Sequence, residues 1–303
     1  MTHLRKYLSI LPSALLAVLV IVFMVPQSAT AVGKQKNANV PAATVSPNTS
    51  GPYIVQDVSY TSPICAANDP NCCPAGSTTC PTPPFVGNST VTFSKATTKG
   101  DTIWVAATVS DYGGIHTISV TDTQGNTYDK LDQKNDGSPG SQSVAQFYAG
   151  DIKGGNDTIT VTWTSDNYKG VFAVEVGGVT TAPLVGSNSD IQDGGLGHWA
   201  NNVSSNGIAV KSTQVPGLLL ALTMDTDGGT SDTGGTSHCA IPAGTGYTQV
   251  TQLWAWSYSS GTTLCNVATV EQQTVTTYAS DSAGNFTSTY YSDPYVTVAA
   301  IFH

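Results

Sequence analysis

Charge is scarce in this chain, and positive charge is scarcest. Of 303 residues only 10% are Asp, Glu, Lys or Arg, with 11 Lys and Arg against 20 acids. A duplex-binding protein neutralises phosphates with clustered Lys and Arg, so nucleic acid is not expected as a partner. An anionic membrane surface is excluded on the same ground. Glutamate is almost missing: there are two, Glu175 and Glu271. Helical periodicity is missing too, since no ten-residue window carries a stripe of period 3.6. Nucleophile motifs are absent, and none of His116, His198, His238 or His303 lies near a Gly-x-Ser-x-Gly. Low charge is not a sign of disorder here. Disordered chains combine high net charge with few β-branched residues, whereas this one is rich in Val, Thr and Ile and reads as all-β.

The first 31 residues have the form of a secretory signal peptide. Arg5 and Lys6 precede an apolar run from Ala14 to Val25, and Ala29-Thr30-Ala31 is a small-x-small cleavage site before Val32. The run is short for a membrane span, which needs about 20 apolar residues, so no membrane association is expected after cleavage. An uncleaved N-terminal anchor is the alternative. The chain from Val32 holds nine lysines against 20 acids, a net charge of −11. It also holds six cysteines, for which export makes disulfides the default. Cys65, Cys72, Cys73 and Cys80 share one segment rich in Pro, Asn and Asp, a stapled insertion at 65–80. A vicinal bond is strained, which leaves 65–72 with 73–80, or 65–73 with 72–80. Cys239 and Cys265 then pair with each other.

Residues 32–51 carry no apolar period and form a linker or a donor arm. From 52 to 303 short β patterns alternate with Gly, Asp and Asn clusters. Ile159, Val161 and Trp163 alternate with Thr158, Thr160 and Thr162, which predicts a half-buried strand with a threonine outer face. Residues 102–109, 115–122, 171–176, 249–258 and 295–302 read likewise. Leu218 to Leu222 is apolar on both faces, which predicts a central strand covered on both sides. A turn recurs: Asp122 to Asn126 and Asp281 to Asn285 share Asp-x-x-Gly-Asn. There the Asp can close an Asx-turn, and Gly takes the positive φ. This turn between Thr-rich strands resembles those of Ig-like modules in prokaryotic surface adhesins. With KGDTIWVAA at Lys99, SVTDTQGNTY at Ser119 and EVGGV at Glu175, the chain resembles an uncharacterised family of secreted prokaryotic β-sandwich surface domains. The resemblance spans Tyr53 to Phe302 and implies fold and location; it carries no catalytic residues over. The expected fold is a single antiparallel β-sandwich, jelly-roll-like, with disulfide-stapled loops.

Three constellations could carry chemistry. Glu175 and Glu271 both sit inside strand patterns, and two carboxylates about 5–10 Å apart across an open cleft could cleave a glycosidic bond. The plainer reading pairs each with a Lys, a Tyr or a backbone amide. Asp225, Asp227 and Asp232 begin like a calcium loop, although Gly229 replaces an oxygen ligand and no Glu closes it. Asp122, Asp129, Asp132 and Asp136 form a second acidic group open to Ca²⁺. Asp232-Thr233-Gly234 matches the aspartic protease triplet but lacks its apolar flanks. Trp254, Trp256 and Tyr258 alternate along one strand, as core or as a stacking platform for sugar rings. Sequons begin at Asn48, Asn88, Asn156, Asn202 and Asn285.

These features predict a secreted, non-catalytic surface, matrix or filament-forming protein whose partners are copies of itself, other surface proteins or glycans. A carbohydrate-binding module and a glycan-cleaving enzyme are the alternatives. Mass spectrometry of the secreted protein is expected to show Val32 as the first residue and Cys239 joined to Cys265. Alkylation of these two cysteines without prior reduction would refute the pairing.

Overall fold

The computed structural model describes residues 51–61, 88–110, 117–135, 142–164, 168–192, 202–204, 207–225, 241–259, 262–277, 284–287 and 295–303. Among them the regular structure is β, apart from one 3₁₀ turn at Ser212–Gln214. The first eight strands are β1 (Tyr53–Thr61), β2 (Ser89–Thr92), β3 (Thr102–Ser110), β4 (Ile118–Asp122), β5 (Asp129–Asn135), β6 (Gln142–Ala149), β7 (Thr158–Trp163) and β8 (Tyr168–Gly177). They form two antiparallel sheets of order β1-β8-β3-β6-β5 and β2-β7-β4. A hairpin of four strand pairs wrapped into a barrel places 1-8-3-6 in one sheet and 2-7-4-5 in the other, the order of a jelly roll. This chain follows that order with one change. β5 leaves the second sheet and pairs with β6 at the edge of the first.

The second half adds a layer. β9 (Leu184–Gln192), β11 (Gly217–Asp225), β12 (Thr248–Ser259), β13 (Thr262–Val275) and β15 (Tyr295–Phe302) make an antiparallel sheet of order β12-β13-β11-β15-β9. β10 (Asn202–Ser204) and β14 (Asn285–Thr287) form a separate pair. The fold is the expected all-β sandwich. Its jelly-roll order is confined to β1–β8, and a third sheet packs on the roll.

Three apolar clusters show the stacking. Ile103, Val105, Ala107, Val171 and Ala173 of the β1-β8-β3-β6-β5 sheet pack with Val91, Val120, Ile159 and Val161 of the β2-β7-β4 sheet. Trp104, Phe172, Val174 and Val176, from the opposite face of the same strands, pack with Leu218, Leu220, Leu222, Val298 and Phe302. Leu219, Ala221, Ala299 and Ile301 face outward and are covered by Ile208, Val210 and Ile241. The sheet of β1 and β8 is thus the middle layer. β7 keeps the expected alternation, with Thr162 exposed and Ile159 and Val161 buried. β3 and β8, expected to be half-buried, are buried on both faces because the third sheet covers what would otherwise face water. β11 is the expected central strand, between β13 and β15.

One buried polar side chain joins the middle and third layers. Gln146 is fully buried on β6, accepts from Trp104 Nε1 (3.2 Å) and donates to the carbonyl of Ala299 (3.0 Å). It thereby supplies a partner for the indole N–H that Trp104 carries into the core.

Leu220 is fully buried between the middle and third sheets. Leu220→Ala is expected to lower unfolding free energy by about 2–5 kcal/mol, as large-to-small core substitutions do, measured by denaturant titration.

Candidate functional site

Glu175 lies on β8 between Gln56 of β1 and Ile103 of β3. A register shift between Ile54 and Gln56 sets that pairing. The shift matters because strand side chains alternate. Ile54 packs toward the third sheet, whereas Val58 and Tyr60 pack toward β2-β7-β4. Residues an even number apart would share a face, so one extra residue, at Val55, must change the phase. The bulge brings Gln56 onto the face of Glu175.

Glu175 is fully buried, and both its oxygens are used. Oε2 accepts from Gln56 Nε2 (2.6 Å) and Oε1 from the Thr98 backbone N–H (2.6 Å). Gln56 in turn donates to the Lys95 carbonyl (3.1 Å) and accepts from the Lys95 N–H (3.2 Å). The segment between β2 and β3 is therefore pinned to the sheet by one amide and one carboxylate. Asp101 joins the cluster. Burial first, and then the charge of Glu175 to which it hydrogen-bonds, push its carboxyl up to about 6.

Glu271 is also fully buried, on β13 opposite Ala221. Its Oε2 accepts from the Gly244 N–H (3.1 Å). Burial and the nearby Glu271 carboxylate push the Tyr247 hydroxyl up to about 12. Glu271 shares the outer face of the third sheet with Thr269 and Ala221. Glu175 faces the other way, out of the middle sheet toward β2-β7-β4. Packed sheets are about 10 Å apart. Two carboxyls that point away from one such interface in opposite directions are not brought to the roughly 5–10 Å needed to bracket a glycosidic bond. Each instead binds a backbone N–H, as the plainer reading expects.

The acidic group at the first Asp-x-x-Gly-Asn turn divides. Asp122 closes the turn as expected: Oδ1 accepts from the Asn126 N–H (2.9 Å), and Gly125 has φ 69°. Asp122 Oδ2 accepts from Asn126 Nδ2 (2.6 Å) and the Tyr128 hydroxyl (3.0 Å). Asp132 is engaged elsewhere, with the Ser189 hydroxyl of β9, and Asp129 is exposed on β5. A further neighbour of Asp122 is Asp157, just before β7, which the spacing of residues gave no reason to place there. A register between β4 and β7 brings them together, pairing Asp122 with Ile159.

Trp254, Trp256 and Tyr258 hold alternate positions on β12, opposite Val267, Cys265 and Thr263, in phase with Gln252 rather than with Leu253. Asp225 ends β11, whereas Asp227 and Asp232 lie outside the described residues, as do Asp136, Cys65, Cys72, Cys73, Cys80, Cys239 and the whole of 1–50.

Asp101 and Asp157 both have carboxyls pushed above the ordinary value of 3.8, chiefly by burial. The folded chain therefore binds protons that the unfolded chain releases. Their contribution to stability is fully present below about 4 and is lost as pH rises through the folded values, about 6 for Asp101. Melting temperature is expected to be higher at mildly acidic than at neutral pH. Asp101→Asn should flatten that slope; an unchanged slope would remove Asp101 as its source.

Comparison with protein-family models, with curated proteins and with solved structures finds no match to this chain.

Proposed function

We propose that this chain is an exported, non-catalytic surface or matrix protein that works by contact, joining copies of itself through strand addition. The observation that carries this reading is the position of β1. Among the described residues it is an edge strand of the middle sheet, paired with β8, and residues 32–51 precede it in the sequence. Open edges offer backbone donors and acceptors to a strand from another chain. Asn39 to Ser46 in the arm is apolar enough to serve as that strand, and an edge position tolerates Pro41. Head-to-tail donation whose rotation does not close into a ring yields a fibre.

Two further observations support contact rather than turnover. The glutamates are committed to backbone and amide partners on opposite sides of two sheets. The outer face of β2-β7-β4 presents Thr90, Thr92, Ser119, Thr121 and Thr162, all exposed. Such a face offers hydroxyls for association without a high charge density. The secreted surface setting follows the resemblance and the N-terminal signal.

A glycan-binding role is the second reading, favoured by the placement of Trp254, Trp256 and Tyr258 at alternate positions of β12, an edge strand of the third sheet. Acrylamide quenching separates it: tryptophan emission protected by soluble glycan supports a platform, and emission indifferent to both supports core packing.

Deleting residues 32–51 is expected to give a folded, soluble monomer where the intact mature chain gives oligomers, measured by size-exclusion chromatography with light scattering. An intact mature chain that stays monomeric at high concentration would overturn the proposal.

A further inference from the structure

Asp157 presents a physical problem that its hydrogen bonds do not solve. It is fully buried, and its Oδ2 has no hydrogen-bond partner. Its Oδ1 accepts from the Thr123 hydroxyl (3.0 Å). Asp122 acts on it both through its charge and as a hydrogen-bonding carboxyl, and with burial this holds the Asp157 carboxyl above its ordinary value. The Lys153 ammonium is held on the Gly125 carbonyl of the same turn (2.7 Å). Burying a carboxylate without a counter-charge is costly, and two facing carboxylates cannot both stay ionised without a cation or a shared proton.

The surroundings supply oxygen and nothing softer. Asp122 and Asp157 bring carboxylates, Thr123 brings a hydroxyl, and the Tyr128 hydroxyl lies on Asp122 Oδ2. Among the described residues no thiolate or imidazole takes part, so the donor set is that of a hard cation. Ca²⁺ accepts six to eight oxygens in flexible geometry, whereas Mg²⁺ demands a near-ideal octahedron and keeps its waters. The loop is built to bring these groups together. Gly154 has φ 73°, and a Cβ there would sit 2.6 Å from the Lys99 nitrogen. The Asn126 side chain accepts from the Lys153 N–H (2.9 Å), which ties the 151–157 segment to the Asp122 turn.

We propose that Asp122 and Asp157, with the Thr123 hydroxyl, bind one Ca²⁺ that staples the turn after β4 to the segment leading into β7. The ion supplies the partner that the buried Oδ2 lacks. It fixes the corner where the β2-β7-β4 sheet meets the loop running down to β3. This inference does not depend on the role proposed above, since a binding module and a filament subunit would both use such a staple.

The test uses the intact mature protein, stripped with chelator and then supplied with millimolar CaCl₂. Added Ca²⁺ is expected to raise the melting temperature, because a ligand that binds only the folded state stabilises it. Asp157→Asn should abolish that shift. A wild-type protein that ignores Ca²⁺, with Asp157→Asn equally or more stable in chelator, would show that the pair shares a proton and would overturn the proposal. A shift that survives in Asp157→Asn but disappears in Asp225→Asn would place the ion in the other acidic loop, with the same consequence. Should Asp157→Asn fail to fold, Tb³⁺ is the second probe. Its emission, excited through tyrosine, should be displaced by Ca²⁺ and should fall in Tyr128→Phe. Emission unchanged in Tyr128→Phe would overturn the site.

Discussion

The middle sheet must be covered on both faces, and most of the architecture follows from that constraint. In β3 and β8 both sets of alternate residues are mainly apolar: Ile103, Val105 and Ala107 lie on one face, and Trp104 and Ala106 on the other. A two-sheet sandwich would leave one of these faces in water. At about 25 cal/mol per Å² of apolar area, an exposed face of this size is far costlier than any single hydrogen bond in the molecule. The β2-β7-β4 sheet covers one side and the sheet built by the second half of the chain covers the other. β11 then inherits the same problem, and among the described residues Ile208, Val210 and Ile241 cover its outer face.

Several of the polar groups buried in this stack hold its layers and loops together. Gln146 links two layers by serving the Trp104 indole and the Ala299 carbonyl together. Glu175 and Glu271 each accept a backbone N–H from a loop that crosses their sheet. A carboxylate is well suited to this, because a charge-assisted bond to an orphan amide is stronger than a neutral one. The cost is acid pairing, visible at Asp101, whose carboxyl shares a hydrogen bond with Glu175.

The functional reading rests on surfaces. Behind the proposal stand the position of β1 and β12 at sheet edges among the described residues and the exposed Thr and Ser of the β2-β7-β4 face.

Period and composition determined a good deal of this protein on their own. The alternation of Ile159, Val161 and Trp163 with threonines, the doubly apolar Leu218–Leu222 and the Asp122–Gly125 turn were legible because each depends on local chemistry. Side-chain alternation and a left-handed glycine need no distant partner. What tertiary structure alone decided was non-local. Burial of the second faces of β3 and β8 required a third sheet whose strands begin after residue 180. The bulge at Val55 changed the phase of β1, so that Gln56 rather than its neighbours meets Glu175. The opposition of Glu175 to Glu271, and the meeting of Asp157 with Asp122, came from register and layer order. Registers are chosen by how whole faces pack, so no short stretch of residues contains that information.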